Sequence, residues 1–196
     1  MNKKQIVIIG GGLQGLATAN ALIERGEEIL LLERESDVAT STSFANAGMM
    51  TPSQSSPWNS PADIAQILAG IGKVDSPMLL KLNQIPSLFF WGLKFLRNST
   101  PKRFNQISRN LFELANYSKE LTVQFRNKNN VTYDESATGT LKIYRNSESM
   151  KKSIIQHEKI FSNLDAVKII NNKDLVDLEP QLKDIQPELS GGLLFS

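Results

Sequence analysis

The chain has 196 residues, of which 40% are hydrophobic and 21% charged, enough for one or one and a half globular domains with a packed core. Basic and acidic residues number 22 and 20, and the net charge of +2 gives no reason to expect nucleic acid as a partner. The chain has no cysteine, which excludes disulfides, thiolate catalysis and cysteine metal sites and is compatible with a cytoplasmic protein.

The N-terminus has some features of an export signal. Lys3 and Lys4 precede an apolar stretch, but the glycines from Gly10 to Gly12 interrupt it. The residues that follow continue a regular strand–helix pattern, so a folded domain is favoured over a cleaved leader. No stretch of the sequence approaches the length of apolar residues needed for a transmembrane helix.

The first 33 residues alternate between strand and helix patterns. Residues 5–9 are a β-branched run typical of a buried strand, residues 13–25 have apolar side chains at helical spacing, and residues 28–33 contain a second buried strand. Gly26 stands where helices often end on glycine. These residues are predicted to form the βαβ unit of an α/β domain.

A glycine-rich motif lies between the first strand and the first helix. Residues 10–15 form a GxGxxG motif. In it, Gly10 permits a tight turn, Gly12 lets the backbone approach a diphosphate, and Gly15 lets the helix pack closely on the strand. The amides at the start of the helix then face the phosphates. The motif therefore predicts a dinucleotide-binding segment made of Gly10, Gly11, Gly12, Leu13, Gln14 and Gly15.

Glu33 follows the second strand. A carboxylate at this position accepts hydrogen bonds from ribose hydroxyls and repels a 2′-phosphate, so NADP is disfavoured. Arg34, the next residue, either contacts the adenosine or is an ordinary solvated arginine. The alternative for the whole arrangement is a glycine-rich turn with a surface glutamate.

Residues 36–61 are rich in Ser, Thr, Asn and Pro and show no helical period. Composition alone leaves two interpretations open, an ordinary polar surface loop or a segment whose amides and hydroxyls bind an extended polar ligand. Gly48 would permit close approach to a flat ring. A nicotinamide-binding domain would usually continue into another helix and strand here, so the segment disfavours NAD.

The rest of the chain predicts a mixture of helices and strands. Helices are predicted at residues 62–70, 86–96, 101–126, 147–161 and 173–178, and strands at residues 131–133, 138–144, 167–170 and 189–195. We predict a ligand-binding domain in residues 1–86 and part of an α+β domain in residues 87–196.

Two further features outside the motif require interpretation. His157, the single histidine, lies in a polar helix and is predicted to have a surface or structural role; no metal site is predicted. Residues 88–96 are the most apolar run and are predicted to be core or to contact further polypeptide. Docking on a membrane surface is the alternative, since Lys94, Arg97, Lys102 and Arg103 are nearby.

Several stretches together resemble the D-amino-acid-oxidase-like FAD-dependent oxidoreductases, and among them the D-amino-acid dehydrogenase small subunits. The stretches that carry this resemblance are the first 35 residues, Thr42 to Gly48 (TSFANAG), Pro57-Trp58 with Pro61, Leu178-Glu179-Pro180 and Ser190 to Leu193. The resemblance implies a Rossmann-like fold that binds FAD non-covalently. It also implies oxidation of a D-amino acid to the imino acid, which hydrolyses to 2-oxo acid and ammonia. Hydride would pass from the substrate Cα to flavin N5, and the electrons to a quinone or another acceptor.

The resemblance also implies roles for particular residues. Gly10, Gly12, Gly15, Glu33 and Arg34 would hold the ADP half of FAD. The residues along the pyrophosphate and toward the isoalloxazine would be Ser41, Thr42, Ser43, Ala47, Gly48 and Met49.

Members of this family are roughly twice as long as this sequence, and their C-terminal half contains the residues that bind the substrate carboxylate. No catalytic residue is therefore predicted here, and a complementary C-terminal chain is an expected partner. The alternatives are a truncated or split, inactive nucleotide-binding fragment and a related glycine- or sarcosine-type amine oxidase. The resemblance implies a cytoplasmic location, peripheral at the inner face of the plasma membrane.

Overall fold

The computed structural model describes residues 5–46, 48–70, 82–160 and 167–195, and the chain divides into two compact units, Met1–Met50 and Thr51–Ser196. The first unit contains strand β1 (Ile6–Ile9), helix α1 (Leu13–Glu24) and strand β2 (Ile29–Leu32). The two strands are parallel, with Ile6 opposite Ile29 and Ile9 opposite Leu32. Because parallel strands need a crossover, and α1 provides it, the βαβ prediction is confirmed.

Among its described residues, the second unit contains a three-stranded antiparallel sheet and five α-helices. The helices are α2 (Pro61–Gly70), α3 (Ile85–Asn98), α4 (Pro101–Asn129), α5 (Ser147–Ile160) and the single turn α6 (Leu175–Leu178). The strands are β3 (Thr140–Tyr144), β4 (Val167–Asn171) and β5 (Gly191–Phe195), in the order β3-β5-β4. Last in sequence, β5 lies at the centre of the sheet and is its most buried strand.

The start of α2 shows how local sequence sets a helix boundary. Ser60 and Asp63 bond reciprocally, since the Ser60 amide donates to Asp63 Oδ2 at 2.9 Å and the Asp63 amide donates to Ser60 Oγ at 3.1 Å. Pro61 occupies the first helical position, where its missing N–H has no cost. Together these residues begin the helix at residue 61.

Hydrophobic side chains cover both faces of the three-stranded sheet. On one face Ile160, Leu193 and Phe195 form a buried cluster. A second cluster unites Ile170, Leu175 and Leu189. Because side chains alternate along a strand, β5 contributes Leu193 and Phe195 to one cluster and Leu194 to the other.

The strand predicted at residues 131–133 is wrong. Helix α4 runs three residues further than predicted, to Asn129, and its C-cap residue Asn130 has a left-handed φ of 51°. The chain then turns back, with the Val131 amide donating to the Arg126 carbonyl at 3.2 Å and Arg126 paired with Glu135. Tyr133 is 53% exposed, and none of the described strands pairs with this β-favouring stretch.

The predicted boundary at residue 86, between a ligand-binding domain and part of an α+β domain, stays a prediction.

Candidate functional site: the glycine loop and its carboxylate

The turn between β1 and α1 requires glycine at two positions. Gly10 has a φ of 104°, which side-chain-bearing residues rarely adopt, and its amide donates to the Leu32 carbonyl at 2.7 Å. A Cβ on Gly15 would overlap the carbonyl oxygen of Gly10. The spacing of these glycines therefore brings the first turn of α1 against the end of β1.

Helix α1 begins without a side-chain cap at its N-cap residue. Gly12 occupies that position with extended backbone, and no side-chain hydrogen bond accompanies it. The first amides of a helix have no partner within the helix, so they need acceptors from elsewhere. One acceptor is distant in sequence, because the Leu13 amide donates to Ser43 Oγ at 3.1 Å. Ser43 Oγ thus supplies an acceptor for one of the amides at the start of α1.

Glu33 holds the glycine loop from the end of β2. Its Oε2 accepts the Gly11 amide at 2.6 Å, and its Oε1 accepts the amides of Arg34 at 2.6 Å and Glu35 at 3.0 Å. The hydrogen bonds from the amides of Glu35, Gly11 and Arg34 hold the pKa of Glu33 below its ordinary value. A carboxylate has about four lone-pair sites, so three are used and one on Oε2 is available to a ligand hydroxyl.

The segment after β2 folds back onto the glycine loop. The Ala39 amide donates to the Gly11 carbonyl at 2.9 Å, and Ala39 has a left-handed φ of 58° although it carries a side chain. Thr40 Oγ1 donates to the Asp37 carbonyl at 3.1 Å, which closes a turn before the segment reaches Ser43. The strained Ala39 is therefore held in place by its bond to the loop.

A cleft opens between the glycine loop and this folded-back segment. It is lined by Gly12, Glu33, Glu35, Ala39, Thr40, Ser41 and Ser43. The lining combines a helix N-terminus, three hydroxyls and two carboxylates. Amides and hydroxyls donate to phosphate oxygens, and carboxylates accept from sugar hydroxyls. Donors and acceptors of these kinds could bind the phosphates and the ribose of an adenosine diphosphate group, and the two carboxylates would repel a 2′-phosphate.

Other predicted ligand residues lie away from the described lining of the cleft. Arg34 is turned to solvent and forms an ion pair with Glu35 at 2.9 Å. The Gly48 amide donates to Asn46 Oδ1 at 2.7 Å, and Met49 is 63% exposed. Thr42 is also exposed, and Ala47 lies outside the described residues. Sequence reasoning did not name Glu35, Ala39 and Thr40 as site residues. The polar composition of residues 36–61 was a signal for Ala39 and Thr40, and the sequence held no signal for Glu35.

Candidate residues elsewhere in the described parts of the chain add no second site. His157 is buried; its Nδ1 lies 2.6 Å from the Ser153 carbonyl oxygen, and its ring centroid lies 4.9 Å from that of Phe195. Burial lowers the pKa of His157, with the Lys142 charge adding to that effect and the Ser153 carbonyl opposing it. No cluster of metal-ligating side chains occurs among the described residues. No helix within the described ranges is long and apolar enough to span a bilayer.

Comparisons with known proteins agree on one family. The family described as FAD dependent oxidoreductase matches residues 5–196. The chain is 30% identical over 189 residues to D-amino acid dehydrogenase 1 of Mesorhizobium japonicum, covering 96% of this chain and 45% of that protein. It is 29% identical over 190 residues to D-amino acid dehydrogenase of Paramagnetospirillum magneticum, covering 96% of this chain and 45% of that protein. No solved structure matches.

The chain spans less than half the length of the curated relatives it matches. The family match nonetheless covers nearly all of this chain, and it confirms both the α/β flavoprotein fold and FAD rather than NAD as the cofactor. On this evidence the chain belongs to the FAD dependent oxidoreductase family.

Proposed function

We propose that the chain forms the part of an FAD-dependent D-amino-acid dehydrogenase that holds the ADP half of the cofactor. One observation carries this proposal: Gly11, Glu33 and Ser43, which are far apart in sequence, meet at the first turn of α1. The names of the relatives support D-amino acids as the substrate class.

The residues of the cleft would bind different parts of the cofactor. Amides of the first turn of α1 would bind the diphosphate, and the Ser43 hydroxyl would turn from acceptor to donor toward a phosphate oxygen. Glu33 would accept a ribose hydroxyl on its remaining lone pair while it keeps the Gly11 amide in place. Gly12 leaves the backbone open to the ligand. The two-electron oxidation is chemistry that FAD supplies when bound.

We also propose that the active site is completed by polypeptide corresponding to the remainder of the relatives, whether on this chain or on a complementary one. Support comes from the relatives' length, since this chain aligns with about 45% of each. A quinone or another acceptor would then take the electrons. Alone, residues 1–196 are expected to bind flavin and to leave D-amino acids unoxidised.

The test is cofactor release from the purified chain. Acid treatment should release FAD, identified by its fluorescence and by chromatography, and a colourless preparation should regain FAD on reconstitution. ADP should compete with FAD for the site, and adenosine 2′-phosphate should compete poorly. Tight NAD binding with no flavin binding would contradict the proposal, and no binding of either ligand would support an inactive fragment.

Substrate specificity needs a second experiment, because flavin binding alone does not report it. D-alanine, sarcosine and glycine are each added to the flavin-loaded chain supplemented with the remainder of a relative. Bleaching of the flavin by D-alanine alone supports D-amino-acid oxidation. Bleaching by sarcosine or glycine alone favours the amine oxidase alternative.

A further inference from the structure

Glu33 can accept only one of the two hydroxyls of an adenosine ribose. Its carboxylate already accepts the amides of Gly11 at 2.6 Å, Arg34 at 2.6 Å and Glu35 at 3.0 Å. A carboxylate offers about four lone-pair sites, so one site remains for a ligand. The ribose hydroxyls lie on neighbouring carbons, and each of them can donate a hydrogen bond. The second hydroxyl therefore needs an acceptor other than Glu33.

Glu35 is the second carboxylate of the cleft. It lines the cleft together with Glu33, and its amide donates to Glu33 Oε1 at 3.0 Å, which holds the two residues close to each other. The hydroxyls of the lining are weaker candidates, because hydrogen bonds to an ionised acceptor are roughly twice as strong as those between neutral groups. Ser43 Oγ, moreover, already accepts the Leu13 amide at 3.1 Å. Glu35 is therefore the strongest acceptor for the second hydroxyl among the described residues that line the cleft.

Arg34 occupies one oxygen of Glu35. Its Nε and Nη2 donate to Glu35 Oε1 at 3.0 and 2.9 Å. Among the described residues no hydrogen bond to Glu35 Oε2 accompanies this pair, and the Glu35 side chain is 44% exposed. Oε2 therefore keeps its lone pairs for a ligand. The guanidinium also offsets part of the charge that a second carboxylate brings near a diphosphate.

We propose that Glu35 accepts the ribose hydroxyl that Glu33 leaves unpaired, so that the two carboxylates bind the two hydroxyls separately. This inference rests on the function proposed above, because it needs an adenosine diphosphate group in the cleft. It adds a residue that determines ligand specificity. A site built to accept a hydroxyl rejects the analogue that lacks it, so each missing hydroxyl should affect one particular glutamate.

The experiment is calorimetric titration of the full chain with ADP, 2′-deoxy-ADP and 3′-deoxy-ADP. The parent chain should bind each deoxy analogue about tenfold more weakly than ADP, which is the lower end for a hydrogen bond to a charged group and suits partly exposed carboxylates. The ratio of two affinities measured on one preparation does not depend on the fraction of folded protein. A variant that folds poorly is therefore still informative.

Glu35→Ala should lose the discrimination against one deoxy analogue and keep the discrimination against the other. Its affinity for ADP should fall about tenfold, to that of the analogue whose hydroxyl Glu35 accepts. The other analogue should still bind about tenfold more weakly than ADP, because Glu33 is intact. The matched control is Glu27→Ala, which removes an exposed glutamate before β2, outside the described lining of the cleft. This control should match the parent with all three ligands.

Glu35→Gln provides a second measurement, because it removes the charge and keeps an acceptor. At low ionic strength it should bind adenosine 2′,5′-bisphosphate more tightly than the parent does, since a carboxylate beside the ribose repels the 2′-phosphate. Unchanged affinity for this ligand would place the Glu35 carboxylate away from the ribose and overturn the inference.

The outcomes separate this inference from the proposed function. If the parent binds FAD and ADP but Glu35→Ala discriminates against both analogues as the parent does, Glu35 accepts no hydroxyl and only the inference is overturned. Loss of discrimination against both analogues would likewise contradict separate acceptors. If the parent binds neither ADP nor FAD, the proposed function and the inference are both overturned.

Discussion

Replacing Gly15 with alanine is expected to distort the glycine loop and weaken flavin binding. The added Cβ would overlap the carbonyl oxygen of Gly10 and come within 3.1 Å of its carbonyl carbon. Both are backbone atoms, so no side chain can rotate to make room. Relief requires that α1 move away from the end of β1, and this movement would displace the amides that are proposed to bind the diphosphate.

The size of the effect follows from the cost of overpacking. Forcing a methyl group into a filled position costs about 1–3 kcal/mol. If the free chain relieves this strain by moving the loop, binding must restore the loop, so the affinity for FAD should fall about 5- to 150-fold. The matched control is Gly92→Ala in α3, where an added Cβ meets nothing within 4 Å. It should stabilise α3 by about 0.5–1 kcal/mol.

The assay is titration of the apo chain with FAD, together with amide hydrogen exchange over residues 6–24. Both tryptophans lie outside the first unit, so tryptophan fluorescence would not report local loosening there. G15A should bind FAD more weakly and exchange faster in this segment, whereas G92A should match the parent in both. Unchanged affinity and unchanged exchange in G15A would refute the steric argument and the location of the diphosphate.

Three further changes test other parts of the molecule. Glu33→Gln should weaken FAD binding, because an amide accepts fewer hydrogen bonds than a carboxylate, and Glu28→Gln at the other end of β2 should leave the titration unchanged. Leu193→Ala should lower the free energy of unfolding by about 2–5 kcal/mol in denaturant titrations, because Leu193 is 0% exposed. The control Leu114→Ala, at a position that is 62% exposed, should change the free energy of unfolding by less than about 0.5 kcal/mol. Burial lowers the pKa of His157 in the folded chain, so the unfolded chain protonates this histidine at a higher pH than the folded chain does. The stability of the fold should therefore fall as the pH drops below about 6.5. A His157→Gln variant that melts with the same pH dependence as the parent would contradict this.

Much of the first unit is predictable because the residue patterns that determine its strands, its helix and its glycine turn lie between close neighbours in sequence. β-branched runs predict β1 and β2, and helical spacing predicts α1. Gly10 and Gly15 are predictable because a left-handed φ and a filled Cβ position both exclude other residues. The same reasoning fails at Val131–Tyr133, where strand propensity is present but no strand among the described residues pairs with it.

The sequence by itself determined the βαβ unit, the glycine turn and the family resemblance, since each depends on residue types at short, regular spacings. Only the tertiary structure decided that Ser43 caps an amide 30 residues earlier and that Glu33 holds an amide 22 residues earlier. The folding of Ala39 onto Gly11 was likewise beyond prediction. The reason is physical: the path of a polar loop depends on the distant donors and acceptors it meets, and local composition does not encode where they are.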